Sequence, residues 1–289
     1  MLYRQNHLLG AIFIVVSEAM FASMGACVKE LSTTLSNEMV VFMRNFFGLL
    51  LLSPLILRSH ASLLQTEILP LHLLRAIAGV SAMYCFFYAL GNLYLADGML
   101  LKMTAPLFMP LIAWFWLGER ARRLTLMAIP VGFVGVALVI SPEGNFNWVA
   151  LIGLLGGALA ALAKVTVRRL GRSEPSARVV CFFAIFATPI SAVPLIWAWQ
   201  TPDLSQVGLG LLIGLLGATG QFFLSRGYAI ASASIASPFT YFSVIFGATY
   251  GYLIWGETLS ATFIAGALLI AVAGIMALRG GHSDTDQEM

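Results

Sequence analysis

Charge is what this sequence lacks. Only 10% of its 289 residues are Asp, Glu, Lys or Arg, whereas 60% are hydrophobic and the mean hydropathy is +0.90; soluble domains carry roughly 25% charged residues. So much apolar surface excludes a water-soluble fold. Cysteine is scarce too: Cys27, Cys85 and Cys181 are an odd number, widely separated and embedded in apolar runs, which points to neither a disulfide framework nor a Cys-x-x-Cys metal site. Histidine numbers four, all near run ends or in loops, without an HExxH pattern, and GLLGATG at Gly214 lacks the lysine of a phosphate-binding loop. No metal and no cofactor is expected, and an ATP-driven pump is disfavoured. The net charge of +3 comes from short basic clusters between apolar runs, so no nucleic-acid partner is expected.

What is present is a succession of apolar runs of about 20 residues, each enough to span a hydrocarbon core of about 30 Å. They lie at roughly 8–28, 39–57, 71–93, 96–117, 124–141, 148–167, 179–199, 207–225, 233–255 and 260–278, which predicts ten transmembrane helices. Tight turns are required at Tyr94 to Asp97 and at Ala229 to Ser232, because a single helix of about 45 residues would measure roughly 68 Å. The run after Arg4 is read as the first membrane helix, since further runs follow at once.

Basic residues favour the cytoplasmic ends of short loops. With the N-terminus inside, the cytoplasmic segments hold Arg4, Arg58, Arg120, Arg122, Arg123, Arg168, Arg169, Arg172, Arg178, Arg226 and Arg279, and the opposite side holds only Lys29. An even span count brings the C-terminus inside as well, and the polar tail 280–289 is expected to be disordered. The expected location is the cell inner membrane.

The chain also repeats itself. Trp116-Leu-Gly118-Glu119 finds an echo in Trp255-Gly256-Glu257, Pro54 to Ile56 recurs at Pro194 to Ile196, and VKEL at Val28 resembles VRRL at Val167, all at a shift of about 139 residues. The predicted domains are therefore 8–141 and 148–278, each a five-helix unit. An odd-numbered unit, repeated, enters the membrane from the opposite face, and the charges agree: WLGERARR is arginine-rich, IWGETLSA has no cation. The fold class is thus an all-α membrane protein of two inverted five-helix repeats, an organisation common among secondary transporters.

These features resemble the drug/metabolite transporter superfamily, specifically its ten-helix EamA branch. The resemblance rests on the Gly-Glu pairs closing the fourth and ninth runs, Arg44 in FMRNFFGLL, LRAIAGVSAMYCFFYAL opening at Arg75, and the stretches TAPLFMPLIAWFWLGE and ASPFTYFSVIFGATYGYLIWGE with Pro106 and Pro238. It covers about 8–278. It implies transport of a small molecule such as an amino acid, nucleoside, flavin or sulfonium compound.

Candidate site residues are those that interrupt the runs. Glu18 lies near the bilayer midplane, where a carboxylate costs about 2.5–3.5 kcal/mol on insertion scales; it suits binding of a proton or cationic group, against a role in helix packing beside Ser17 and Ser23. Lys102 is deep enough to face a central cavity, though its stem could snorkel outward. Lys164 lies one turn from Arg168, within reach of the cytoplasmic interface. Tyr84, Tyr88, Gln221 and Tyr241 could flank a cavity and stack on a flat ring, or simply pack helices. Arg44 and Arg75 read as helix-end cations, Arg44 pairing with Glu38 or Asp97 and Arg75 meeting headgroups, and Glu119 and Glu257 as caps of the helices that follow them. The reading is a carrier of a small organic solute with one central site. The alternatives are a membrane-embedded enzyme acting on a lipid-soluble substrate, or a non-transporting scaffold or sensor; neither calls for an inverted repeat.

Overall fold

A backbone in lipid must satisfy its own polar groups, and long apolar runs without counter-signals do so as helices. The computed structural model describes residues 7–58, 65–118, 123–140, 147–171, 173–230 and 237–281, and among these every regular element is helical. The α-helices are α1 (His7–Leu31), α2 (Asn37–Arg58), α3 (Leu69–Asn92), α4 (Leu95–Lys102), α5 (Ala105–Leu117), α6 (Arg123–Ile140), α7 (Trp148–Leu170), α8 (Ser176–Ala192), α9 (Leu195–Ala198), α10 (Leu204–Ile230), α11 (Phe242–Trp255) and α12 (Ala261–Gly281); a 3₁₀ helix, Ser237–Tyr241, precedes α11. Six described stretches are long and apolar enough to cross a membrane: Leu8–Leu31, Leu69–Asn92, Leu95–Trp116, Arg123–Ile140, Trp148–Leu170 and Leu204–Tyr228. The protein is a multi-pass membrane protein.

Several boundaries depart from the sequence reading. The first turn is tighter than Tyr94 to Asp97: it is made by Leu93 and Tyr94, and Asp97 already lies inside α4. The fourth run is not one helix. It breaks at Met103 and Thr104, where the amides turn back to Leu100 O and Leu101 O, because Pro106 has no N–H and its ring crowds the carbonyl four residues earlier, that of Lys102. Pro194 marks a similar break between α8 and α9. The ninth run likewise opens in 3₁₀ geometry around Pro238. α12 takes in Gly280 and Gly281, and the remainder of the expected tail, 282–289, lies outside the described residues. So do Glu119, Arg120, Arg122, Arg172 and residues 231–236, which hold the rest of the second predicted turn.

Gly118 and Gly256 have φ of 69° and 68° and end α5 and α11 in the left-handed conformation. Only glycine adopts it without strain, which gives the two Gly-Glu pairs a common backbone reason.

The helices pack as α1 on α10, α3 on α7, α6 on α12, α2 on α8 and on α10, α3 on α8, and α4 on α11. Small residues set these seams, as expected where lipid supplies no hydrophobic drive between helices. At the α6–α12 crossing a Cβ on Gly135 would stand 2.8 Å from Gly266 O, and one on Gly266 would stand 2.8 Å from Gly135 O, so the two backbones touch. Exposed apolar stripes such as Leu69, Leu73 and Ile77, or Ile264, Leu268 and Val272, recur every four residues and face outward, the sides presented to lipid.

Candidate functional site in the membrane interior

Glu18 lies eleven residues into α1, about 16 Å from its start, and is 2% exposed. Its neighbour Ser17 spends its hydroxyl on Gly220 O of α10 at 2.8 Å, which fixes the α1–α10 seam and leaves Glu18 turned elsewhere. Glu18 Oε2 is buried with no hydrogen-bond partner. The charges that act on it are those of Lys102 and Lys164, neither within ion-pair distance. Lys102 is the last residue of α4, at the break that Pro106 imposes, and its ammonium sits 4.5 Å from the Phe21 ring centroid and 5.7 Å from that of Phe86. Ring faces attract a cation in a site with little water. Lys164 of α7 is exposed, yet it senses both Glu18 and Lys102. One carboxylate and two ammonium groups from α1, α4 and α7 thus lie within electrostatic reach of one another. Tyr228 of α10 also feels Glu18.

The other candidates are placed differently. Tyr84 donates its hydroxyl to Ser191 O at 3.0 Å, tying α3 to α8. Tyr88 is 37% exposed on the same helix. Gln221 is exposed on α10, next to Gly220. Tyr241 donates to Ile270 O at 3.1 Å and fills the space beside Gly274, so it is spent on packing the 3₁₀ helix to α12.

A second group of charges was missed by sequence reasoning. Arg44 meets neither Glu38 nor Asp97: its Nη1 donates to Asn45 Oδ1 at 3.0 Å, and it lies near enough to Arg75 for their charges to interact. Arg75 stacks its guanidinium on Phe183, 4.1 Å from the ring centroid, rather than at headgroups. The available signal was position: both sit six or seven residues inside their helices with no acidic residue one turn away.

Two ties stand at opposite ends of the bundle. At one end Lys29 Nζ pairs with Glu257 Oε1 at 2.8 Å and also donates to Leu93 O, while Glu257 Oε2 accepts the Leu95 amide at 2.8 Å. Glu257 therefore does not cap α12, a task taken by Ser260, whose Oγ accepts from Phe263 N; it caps α4 instead, because the turn after Gly256 aims it across the bundle. At the other end Glu174 accepts from Thr66 Oγ1 at 2.6 Å and from Arg178, beside the buried His72. Burial opposes the Glu174 charge, but the hydrogen bonds from Thr66 and Arg178 and the charges of Arg178 and His72 outweigh it and hold its carboxyl below the ordinary carboxylate value.

The EamA-like transporter family matches this chain twice, over residues 8–141 and 147–279. The chain belongs to that family. Its relatives include the pseudopaline exporter of Pseudomonas aeruginosa, 34% identical over 270 residues with 92% of this chain and 94% of the exporter covered. A riboflavin transporter of Brucella anthropi is 27% identical, covering 86% and 89% of the two chains. The S-adenosylmethionine uptake transporter of Rickettsia bellii is 25% identical over 85% of this chain and 84% of its own. A solved crystal structure 16% identical to this EamA-like chain superposes with a TM-score of 0.64 over 97% of this chain and 99% of its own, a likeness of fold.

Proposed function

We propose that this EamA-family chain is a secondary transporter rather than an enzyme, moving a small organic metabolite across the cell inner membrane by alternating access. The observation that carries the reading is the Glu18, Lys102 and Lys164 group beside a broken helix in the membrane interior. Charges are tolerated at that depth where water or a counter-charge offsets their desolvation, and a solute path supplies such a setting. Discontinuous helices near the midplane are typical of carrier sites, because a break frees backbone groups to face a cavity.

The same proposal includes ten spans in two inverted five-helix repeats, 8–141 and 148–278, with both termini cytoplasmic. The helix pairing supports it: exchanging the halves turns the α1–α10 contact into α7–α3 and the α2–α10 contact into α8–α3, and all of these occur. In this topology the Lys29–Glu257 tie closes the outer end. The exposure of Lys164, six residues from the inner end of α7, fits a conformation open toward the cytoplasm. Relatives named for pseudopaline, riboflavin and S-adenosylmethionine support a small-metabolite cargo, drawn from the amino acid, nucleoside, flavin and sulfonium classes.

Flux tests the function. Vesicles reconstituted with the chain are screened with labelled members of those four classes, in both directions and under a proton gradient. Accumulation or release of at least one above protein-free vesicles is expected, and none moving, with the protein folded and inserted, would refute the reading. Topology has its own test: a cysteine at Ser173 should react with impermeant maleimide only from the cytoplasm, and one at Thr201 only from outside.

A further inference from the structure

Two guanidinium groups lie within electrostatic reach of each other inside this bundle with no carboxylate paired to either among the described residues. Arg44 of α2 and Arg75 of α3 act on one another electrostatically, and among the described residues neither has an ion-pair partner. Among the described residues the one polar side chain bonded to either is Asn45, through a single N–H of Arg44. Arg75 Nε is buried without any hydrogen-bond partner. A guanidinium offers five donors, so most of the donors of this pair have no side-chain partner among the described residues.

Glycines in the neighbouring helices make room for the pair. A Cβ on Gly79 would collide with Arg75 Nη1, and one on Gly217 would stand 3.6 Å from Arg44 Nε and Nη2, so the adjacent faces of α3 and α10 are bare backbone. Phe183 forms one side and Met24 lies beside Gly217. Two like charges in a poorly hydrated interior repel each other and lose hydration at once, which is tolerable only if water or an anion reaches them.

We propose that Arg44 and Arg75 form a binding site for a carboxylate group of the transported solute. The proposal rests on the transporter reading above and adds the class of cargo. Two guanidiniums can grip a planar carboxylate through parallel N–H···O bonds, the geometry that distinguishes arginine from lysine. The level reached by Arg75, that of Gly79, is about 15 Å along α3 from Leu69, near the midplane and far from any lipid headgroup. Phe21 of α1 stands near Lys102 on one side and against the Gly220 position on the other, one turn of α10 from the Gly217 position that faces Arg44. A solute bearing both an amine and a carboxylate would meet complementary charge at each end.

Succinate and its uncharged diamide, succinamide, separate the carboxylate from the rest of the molecule. Thermal unfolding of the detergent-solubilised full chain is followed with millimolar succinate, succinamide or inorganic phosphate at constant ionic strength, and again in nanodiscs with and without phosphatidylglycerol. Succinate should raise the melting temperature and succinamide should not, and Arg44→Gln and Arg75→Gln should each raise the half-saturating succinate concentration tenfold or more. Arg44→Lys and Arg75→Lys keep the charge and guard against misfolding; they should bind more weakly than wild type but better than the glutamine variants. The exposed Thr33→Ala should change nothing. Equal effects of succinate and succinamide, an unchanged response in the arginine variants, or a response to phosphate or phosphatidylglycerol alone would overturn the site. If solutes cross the vesicle membrane equally well in wild type, Arg44→Gln and Arg75→Gln, the site is wrong and the transporter reading stands. If succinate binds as described but nothing crosses, the site stands and the transporter reading falls.

Discussion

Glu257→Gln is the perturbation whose size follows most directly from the geometry. Glu257 and Lys29 have side chains only 6% and 14% exposed, 2.8 Å apart, and they join the end of α1 to the turn after α11. Glutamine keeps an oxygen for the Leu95 amide but strands the Lys29 charge. Removing one partner of a buried pair costs about 3–5 kcal/mol, and the lower end applies here because Lys29 keeps the Leu93 carbonyl and the Trp255 ring, 5.4 Å from its ammonium. A loss of about 3 kcal/mol from the closed state alone corresponds to a shift of roughly a hundredfold toward opening at that end, at 1.36 kcal/mol per factor of ten. Cys27, half-buried two residues before Lys29, is a built-in reporter. In a Cys85→Ser, Cys181→Ser background, impermeant maleimide applied from outside should label Cys27 up to about a hundredfold faster in Glu257→Gln. Lys29→Met should behave alike, and the double variant should open no further than either single one, because the three share one interaction. Equal labelling rates in wild type and Glu257→Gln would refute the tie as a closure.

The remaining predictions concern the interior group, a helix seam and one titrating loop. Glu18→Gln and Lys102→Met should each lower flux of a transported solute by tenfold or more while the protein remains abundant in the membrane, as read by vesicle flux normalised to protein; wild-type rates in both would remove them from the site. Gly135→Leu should destabilise the fold by about 1–3 kcal/mol, seen as a lower melting temperature in detergent, since its Cβ meets the Gly266 carbonyl at 2.8 Å and backbone cannot yield as a side chain would. Glu174 has a depressed carboxyl value in the folded state, so its contribution is full above the unfolded value of about 4.3 and is lost as pH falls through the lower folded value. Wild-type stability should decline across that acidic window, and Glu174→Gln should be less stable at neutral pH and flatter below it, as a pH series of thermal melts would report.

The sequence by itself determined the solvent and the element type, and it raised the expectation of a repeat. Run length against bilayer thickness, the placement of cations and the recurrence of Gly-Glu are one-dimensional facts, and the backbone's need to bond internally in lipid converts them into helices without reference to neighbours. Glu18, Lys102 and Lys164 could be nominated for the same reason, since a charge in an apolar run is conspicuous wherever it points. Partnership was different. Lys29 and Glu257 are 228 residues apart, and nothing local says that the turn after Gly256 aims Glu257 at the start of α4 rather than at its own following helix. Arg44 and Arg75 looked like helix-end cations because depth along a helix does not reveal which face meets another helix. Tyr241 looked like a cavity aromatic for want of knowing that Gly274 leaves a space for its ring. Those outcomes were decided by the packing of α11 on α1 and α4, of α8 on α2 and α3, and of the 3₁₀ helix on α12, which fixes which side chains face each other, a property of pairs of elements that no single run contains.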